Sequence, residues 1–305
     1  MALLVNTHPI CVQGLAYTRS ISYNHQMMPS VPLSLALGGL DPDALGLVPP
    51  PSRQAITDRG PEVRSMIDWA RSHGFRAVQL NATTPGVRAR DLDRSARRDL
   101  AATLRRADLR CSGLDFFIPP EHFVDPRTVD RAVTGLLSTI DLVADLSSLA
   151  TGSVVSTQPN RTGVVSVVFP GSVPSEVLST IAEKARARSV RVADNAWPAI
   201  ELSAEAGETI AIGLDPAAIL AKGDDPSLVA ARTGSRLASA RLADLAGGMA
   251  AGGRVAPGSI GGRLDVLAYF VALLTAGYSE AVVLDLRGVP RQAEAVDLTL
   301  AVMTS

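Results

Sequence analysis

A chain of 305 residues, 47% of them apolar, holds material for a sizeable core and has the usual length of one α/β barrel. Its net charge of −1 and lack of clustered basic residues argue against a nucleic-acid-binding surface, so no nucleic-acid partner is expected. Two cysteines, Cys11 and Cys111, make no disulfide framework and fit a reducing, cytoplasmic setting.

Residues 1–30 show no clear period. They lack the positive start and continuous apolar run of a secretory signal, and no stretch of about 18 apolar residues suggests a membrane span. This segment is expected to be a disordered N-terminal extension or a misassigned start, with Met27 and Met28 just before the first convincing strand. Residues 31–305 are expected to form the folded domain, without a membrane partner.

From there strands and helices alternate, which implies a parallel sheet covered by helices. Strand one is VPLSLALGGL (31–40), followed by a Pro-rich loop. Helix one spans 60–74, with Val63, Ile67 and Ala70 at helical spacing and Gly74 as its stop. Strand two is FRAVQLNA (75–82), and helix two, 91–107, carries a solvated charged face. Strand three is LRCSGLDFFIP (109–119) and helix three runs over 125–146. Strand four (163–171) and helix four (174–189) follow. Strand five starts at 190, with a short helical piece near 202–207 after it. Strand six is TIAIGLD (209–215), helix six about 215–221, and strand seven lies within 235–243. A glycine-rich loop, 247–262, leads to helix seven (263–278), strand eight (EAVVLD, 280–285) and a last helix (about 290–303). Eight strands are what a closed (β/α)8 TIM barrel needs.

Four of the later strands end in an acid: Asp194, Asp215, Asp244 and Asp285. The C-terminal ends of barrel strands are where this fold builds its sites. No histidine follows His122, so a site made from these ends works without one.

Three passages carry a family resemblance: MIDWARSHGFRAVQLNA, IGLDPAAILAKGDDP and RVAPGSIGGRLDVLAYFVALLTAGYSEAVVLDL. In order and spacing the chain resembles the xylose-isomerase-like TIM barrels of the sugar phosphate isomerase/epimerase superfamily, over about 31–305. The resemblance implies a divalent metal, such as Mn²⁺ or Mg²⁺. It would be held by a Glu ending strand five, an Asp ending strand six, a His on strand seven and a Glu ending strand eight, with two glutamates moving the proton. Here the strand-five acid falls on Asp194 and the strand-eight acid on Asp285, each one methylene short. The strand-six acid, Asp215, matches. The histidine that follows it falls on Ala218, the strand-seven histidine on Arg241, and the strand-two acid on Gln79.

These changes bear on the metal. Glu to Asp retracts a carboxylate by roughly 1.5 Å, which spoils a preset cage unless the strands shift. Arginine has no lone pair to donate and keeps its charge. The reading that follows is that the Arg241 guanidinium takes the place of the metal, pairing with Asp194, Asp215 or Asp285, so no metal or other cofactor is expected.

Asp194, Asp215, Arg241 and Asp285 are therefore the candidate catalytic residues. Gln79, His122, Asn195, Trp197 and Arg287 are candidates for binding a small sugar-like ligand. Each also has a structural reading. Asp215 can cap the next helix, Asp194 and Asn195 can shape a strand-end turn, and Asp285 with Arg287 can be a rim salt bridge. Asp244 reads as a loop or cap residue, His122 as a solvated loop histidine, and Trp197 as either a sugar platform or shell. The loop 247–262 reads as a rim loop rather than a phosphate cradle. The function expected is a sugar (phosphate) isomerase or epimerase acting on a small polyhydroxylated carbonyl compound. The alternative is a non-catalytic sugar-binding or scaffold protein on the same fold. A homo-oligomer is compatible with both.

Overall fold

A computed structural model describes residues 31–47, 63–151, 163–200, 202, 206–247 and 252–304. The expected extension at 1–30 lies outside the described residues.

Eight parallel strands close into one barrel. They are β1 (Leu33–Ala36), β2 (Ala77–Asn81), β3 (Arg110–Asp115), β4 (Gly163–Val167), β5 (Val190–Asp194), β6 (Ile210–Leu214), β7 (Leu237–Leu242) and, eighth in the barrel, β10 (Val282–Leu284). The order around the barrel is β1, β10, β7, β6, β5, β4, β3, β2, so each strand neighbours those before and after it in sequence. Helices α1 (Val63–Ser72), α2 (Arg94–Arg106), α3 (Val129–Thr151), α4 (Ser175–Ala187), α5 (Pro216–Ala221), α6 (Pro226–Thr233), α7 (Val266–Thr275) and α8 (Gln292–Thr304) follow the strands.

Two departures from the expected elements matter. Residues 226–233 form α6, which the sequence reading passed over. Asp225 caps it, accepting from Ser227 N and Leu228 N, and Pro226 opens it. A short antiparallel hairpin also holds the start of the glycine-rich loop: β8 (Asp244–Leu245), just before the loop, pairs with β9 (Arg254–Val255) within it. Most strands are shorter than expected because the chain leaves the ladder at the barrel rim; strand one stops at Ala36 and turns into a short 3-10 segment at Leu37–Gly39.

The strand alternation sorts the core. Leu35, Val78, Leu80, Leu114, Val165, Val192, Leu242, Val282 and Leu284 are buried in one large cluster against the helices. Val164, Ala193, Ala211 and Ala238 form a second, separate cluster from the opposite faces of four adjacent strands, inside the barrel. These small residues leave room, and polar groups use it. Ser34 and Ser112 share a 2.6 Å hydrogen bond, and Gln79 Nε2 on β2 donates to Ser166 Oγ on β4 at 3.1 Å, past the intervening β3.

Helix α3 is long and apolar enough, by composition, to cross a membrane, which the reading of the sequence had not picked out. Here it is a barrel helix. Its Leu136, Ile140, Val143 and Leu146 are buried. Its Asp141 and Asp145 pair with Lys184, Arg188 and Arg97.

Candidate active site

The mouth at the C-terminal ends of the strands is filled by three aspartates and three arginines. Arg241 is the centre. It lies on β7 and is 2% exposed. Its Nη1 donates to Asp285 Oδ2, just past β10 on the adjacent side. Its Nη2 donates to Asp115 Oδ1 at 3.0 Å. Asp115 ends β3, which stands diametrically opposite β7 in the barrel. The guanidinium therefore spans the mouth, which only a long side chain over a small-residue interior can do.

Two further arginines complete the group. Arg287 Nη2 lies 2.7 Å from Asp285 Oδ2 and 2.9 Å from Asp115 Oδ2, and its guanidinium stacks 4.2 Å over the Phe117 ring. Arg254, delivered by the hairpin strand β9, donates to Asp215 Oδ2 and stands 3.4 Å from Asp285 Oδ2. The group is neutral as a whole, which is the condition for burying so many charges together. Burial works against the charge on Arg241, but Asp115 and Asp285 outweigh it and hold its pKa above the ordinary arginine value. For Asp115 and Asp285, burial raises the carboxyl pKa and the Arg241 guanidinium opposes that rise.

The expected site residues divide. Arg241, Asp215, Asp285 and Arg287 are brought together. Asp285 is fully buried, so its pairing with the partly exposed Arg287 joins the rim to the interior. Asp215 is both a cap and a member of the group: Oδ1 accepts from Ala217 N and Ala218 N, and Oδ2 takes Arg254.

Asp194 stands apart and is not an Arg241 partner. As the inside-outside alternation along β5 requires, its carboxylate turns away from the interior. It accepts from Phe169 N, Ala196 N and Ile200 N, fixing the turn after β5, and burial raises its pKa. Asn195 is the inward residue, with Nδ2 donating to Val167 O and Ala193 O. It lies over Gly213, where any Cβ would collide with its amide. Gln79 also faces inward. Trp197 is hooked by its indole N–H to Asp224 Oδ2 at 2.7 Å, which ties the loop after β5 to the turn between α5 and α6. His122 is not at the mouth. It lines a separate cavity of about 560 Å³ beside α3, with Ala82, Phe116 and Ile118. Asp244 is structural, with Oδ1 accepting from the backbone N–H groups of Leu245, Arg263 and Leu264.

Asp115 and Arg254 were missed. Asp115 carries the same signal as the other acids, a strand ending in Asp within LDFFIP. Arg254 has no such signal, because its place depends on the hairpin.

The sequence matches no family model and no curated protein. Solved structures do match in fold. A xylose isomerase domain protein from Planctomyces limnophilus aligns with a TM-score of 0.58 at 15% identity, over 91% of this chain and 97% of that one. D-psicose 3-epimerase from Clostridium cellulolyticum H10, solved with D-tagatose, aligns with a TM-score of 0.55 at 13% identity, over 80% and 94%. The IOLI protein, solved with a zinc atom, aligns with a TM-score of 0.54 at 16% identity, over 80% and 91%. The chain thus has the fold of xylose-isomerase-like TIM barrel proteins and sugar epimerases.

A divalent ion of the kind this fold family implies does not suit the donors at this mouth. Asp215 and Asp285 already bind guanidinium groups, Asp194 is committed to backbone N–H groups, and Arg241 offers no lone pair. Among the described residues, no group of three or more His, Cys, Asp or Glu side chains could hold a metal ion.

Proposed function

We propose that the protein binds a small polyhydroxylated carbonyl compound at the barrel mouth and interconverts its isomers or epimers by proton transfer. The observation that carries this is the group of three aspartates and three arginines gathered at the strand ends of a barrel whose structural neighbours include sugar epimerases. The fixed cation is Arg241 in this reading, and no metal takes part.

Asp215 is the proton acceptor, because its guanidinium partner, Arg254, is the most exposed of the three arginines. When Arg254 moves to the substrate, Asp215 Oδ2 is free to remove a proton from the carbon next to the carbonyl. The C–H electron pair shifts toward the carbonyl oxygen, which becomes an enediolate oxygen. Guanidinium N–H groups stabilise that developing charge, as preorganised donors do in a site that excludes water. For an epimer, water protonates the same carbon from the opposite face and Asp215 gives up its proton to solvent. For an isomer, Asp215 delivers its proton to the former carbonyl carbon, while the enediol O–H on the other carbon passes its proton to the oxyanion, forming the new carbonyl. Asp194 stays outside the chemistry and holds the loop.

A second reading, a sugar-binding protein without turnover, has an observation of its own. Both oxygens of Asp215 and Asp285 accept hydrogen bonds, and Asp115 has Oδ1 on Arg241 and Oδ2 in an ion pair with Arg287, so every carboxylate of the group is already engaged by a cation. The test is incubation of the purified protein with ketoses and sugar acids in D₂O, followed by mass spectrometry. Deuterium at the carbon beside the carbonyl, lost in Asp215→Asn, supports the enzyme. A rise in Tm with a sugar and no deuterium supports the binding protein.

A further inference from the structure

We infer that the substrate carries an anionic group, a carboxylate or a phosphate, which docks on the rim donors of Arg254 and Arg287. This deepens the reading above and rests on it.

The inference comes from which hydrogen-bonding capacity the mouth leaves over. A guanidinium has five N–H donors, and a carboxylate accepts about four hydrogen bonds. Three of each leave donors in excess. Arg287 Nη1 is a buried atom without a hydrogen-bond partner among the described residues, as is Arg241 Nε below it, and Arg254 Nη1 has no hydrogen bond but only a long 3.4 Å ion pair with Asp285 Oδ2. Of the acceptors, Asp115 Oδ2 alone in this group also lacks a hydrogen bond, and it lies 2.9 Å from Arg287 Nη2. Arg254 Nη1 and Arg287 Nη2 lie against the same oxygen, Asp285 Oδ2, so the two guanidinium groups adjoin one another. Arg254 and Arg287 are also the partly exposed members, at 24% and 16% side-chain exposure, whereas Arg241 is 2% exposed. Unpaired donors of a charged group, half withdrawn from water, are costly, and the ligand that suits them best accepts without donating.

Deeper in the barrel the leftover capacity has the opposite sense. Gln79 Oε1 and Asn195 Oδ1 are buried acceptors without partners among the described residues. They suit the hydroxyl hydrogens of a polyol. Arg241 lies between these acceptors and the rim, so the rim is the part of the site a ligand meets first, and the anionic head is what engages it. A neutral ketose lacks that head. An anion arriving at the rim also supplies Arg254 with a partner other than Asp215, which is the exchange that frees Asp215.

The test is equilibrium binding by calorimetry to the full chain, at fixed ionic strength, of D-glucuronate, inorganic phosphate and D-psicose. D-Glucuronate should bind more tightly than neutral D-psicose, and phosphate should compete with it if the rim accepts either anion. A carboxylate-only rim shows glucuronate binding that phosphate does not displace. Arg254→Gln should weaken glucuronate binding about tenfold or more. Arg287→Lys keeps the charge but loses the fork and should weaken it too, which covers the case in which Arg254→Gln fails to fold. Arg127→Gln, at an exposed arginine elsewhere, should change nothing. The inference is overturned if D-psicose binds as tightly as D-glucuronate, or if either rim variant binds glucuronate like the wild type. Anion binding with no deuterium exchange on any sugar would leave the inference standing and retire the enzyme. Exchange on a neutral ketose without anion binding would do the reverse.

Discussion

Arg241 illustrates how far single residues could be read. Its type and place on strand seven were legible, and arginine in that position pointed to a fixed cation rather than a metal ligand. Its partners were not legible. Local sequence says which strand ends carry acids, but which acid a guanidinium reaches depends on barrel diameter and on which strands face each other. Asp115, on the opposite strand, is met only because Ala and Ser side chains leave the interior open. Arg241→Met should leave Asp115 and Asp285 short of a cation in a buried setting. Removing one partner of a buried pair typically costs about 3–5 kcal/mol, so a large loss in urea midpoint is expected; a change under about 1 kcal/mol would mean that Arg254 and Arg287 neutralise both acids unaided. Cys111 gives a second test. Its Sγ donates to Gly113 O, and burial pushes its pKa from the ordinary 9.0 up to about 11. The folded chain therefore holds this proton more tightly than the unfolded one. The stabilisation is complete below about pH 9 and is lost as pH rises through 11. Tyr269 and Tyr278, both raised by burial, act in the same direction at higher pH. Urea midpoints measured from pH 8 to pH 10.5 should fall, and Cys111→Ala should fall less over that range. Equal slopes in the two proteins would remove Cys111 from the account.

At the scale of elements, the helices were readable from their spacing except α6, which was passed over although its start carries a cap and a proline. Asp225–Pro226 opens α6 by the same chemistry as Asp215–Pro216 opens α5, so α6 could have been found from its start. The β8–β9 hairpin could not, because two-residue strands at and within a glycine-rich segment show no alternation. What fixes the base of that hairpin is Asp244, with three backbone N–H groups on one carboxylate oxygen. Gly262 packs so closely on the other oxygen that a Cβ there would lie inside its contact distance. Gly262→Ala must push Asp244 out of place. Overpacking of this kind costs about 1–3 kcal/mol, and here the displaced hairpin carries Arg254 with it. The expected result is a lower Tm together with weaker glucuronate binding. A variant with the wild-type Tm would show that Asp244 has room to move and that the hairpin does not depend on it.

For the whole molecule the fold was the most legible feature. Eight alternations of strand and helix, each short and with few alternatives, leave a closed parallel barrel as the simplest arrangement, and that is the observed one. The same regularity says nothing about what the barrel holds, since strand ends supply positions and not chemistry. The mouth of this barrel pairs three aspartates with three arginines, so a divalent ion would have to displace at least one arginine and leave it unpaired. Wild-type protein purified without chelator is therefore expected to carry no stoichiometric Mn²⁺, Co²⁺ or Zn²⁺ on elemental analysis, and dialysis against EDTA should leave its Tm unchanged. An added ion at a hundredfold excess over its Kd would stabilise a true binder by about 2.7 kcal/mol, which a melting curve resolves easily. The converse design starts from the same geometry. Arg241→His with Asp285→Glu removes the central cation and lengthens the acid beside it. Asp194→Glu is left out, because Asp194 is bound to the loop after β5 and not to the mouth. This double variant should gain a Tm response to Mn²⁺ that the wild type lacks. Stoichiometric metal in the wild-type protein would end the cation-substitute reading and return the mouth to metal-dependent chemistry.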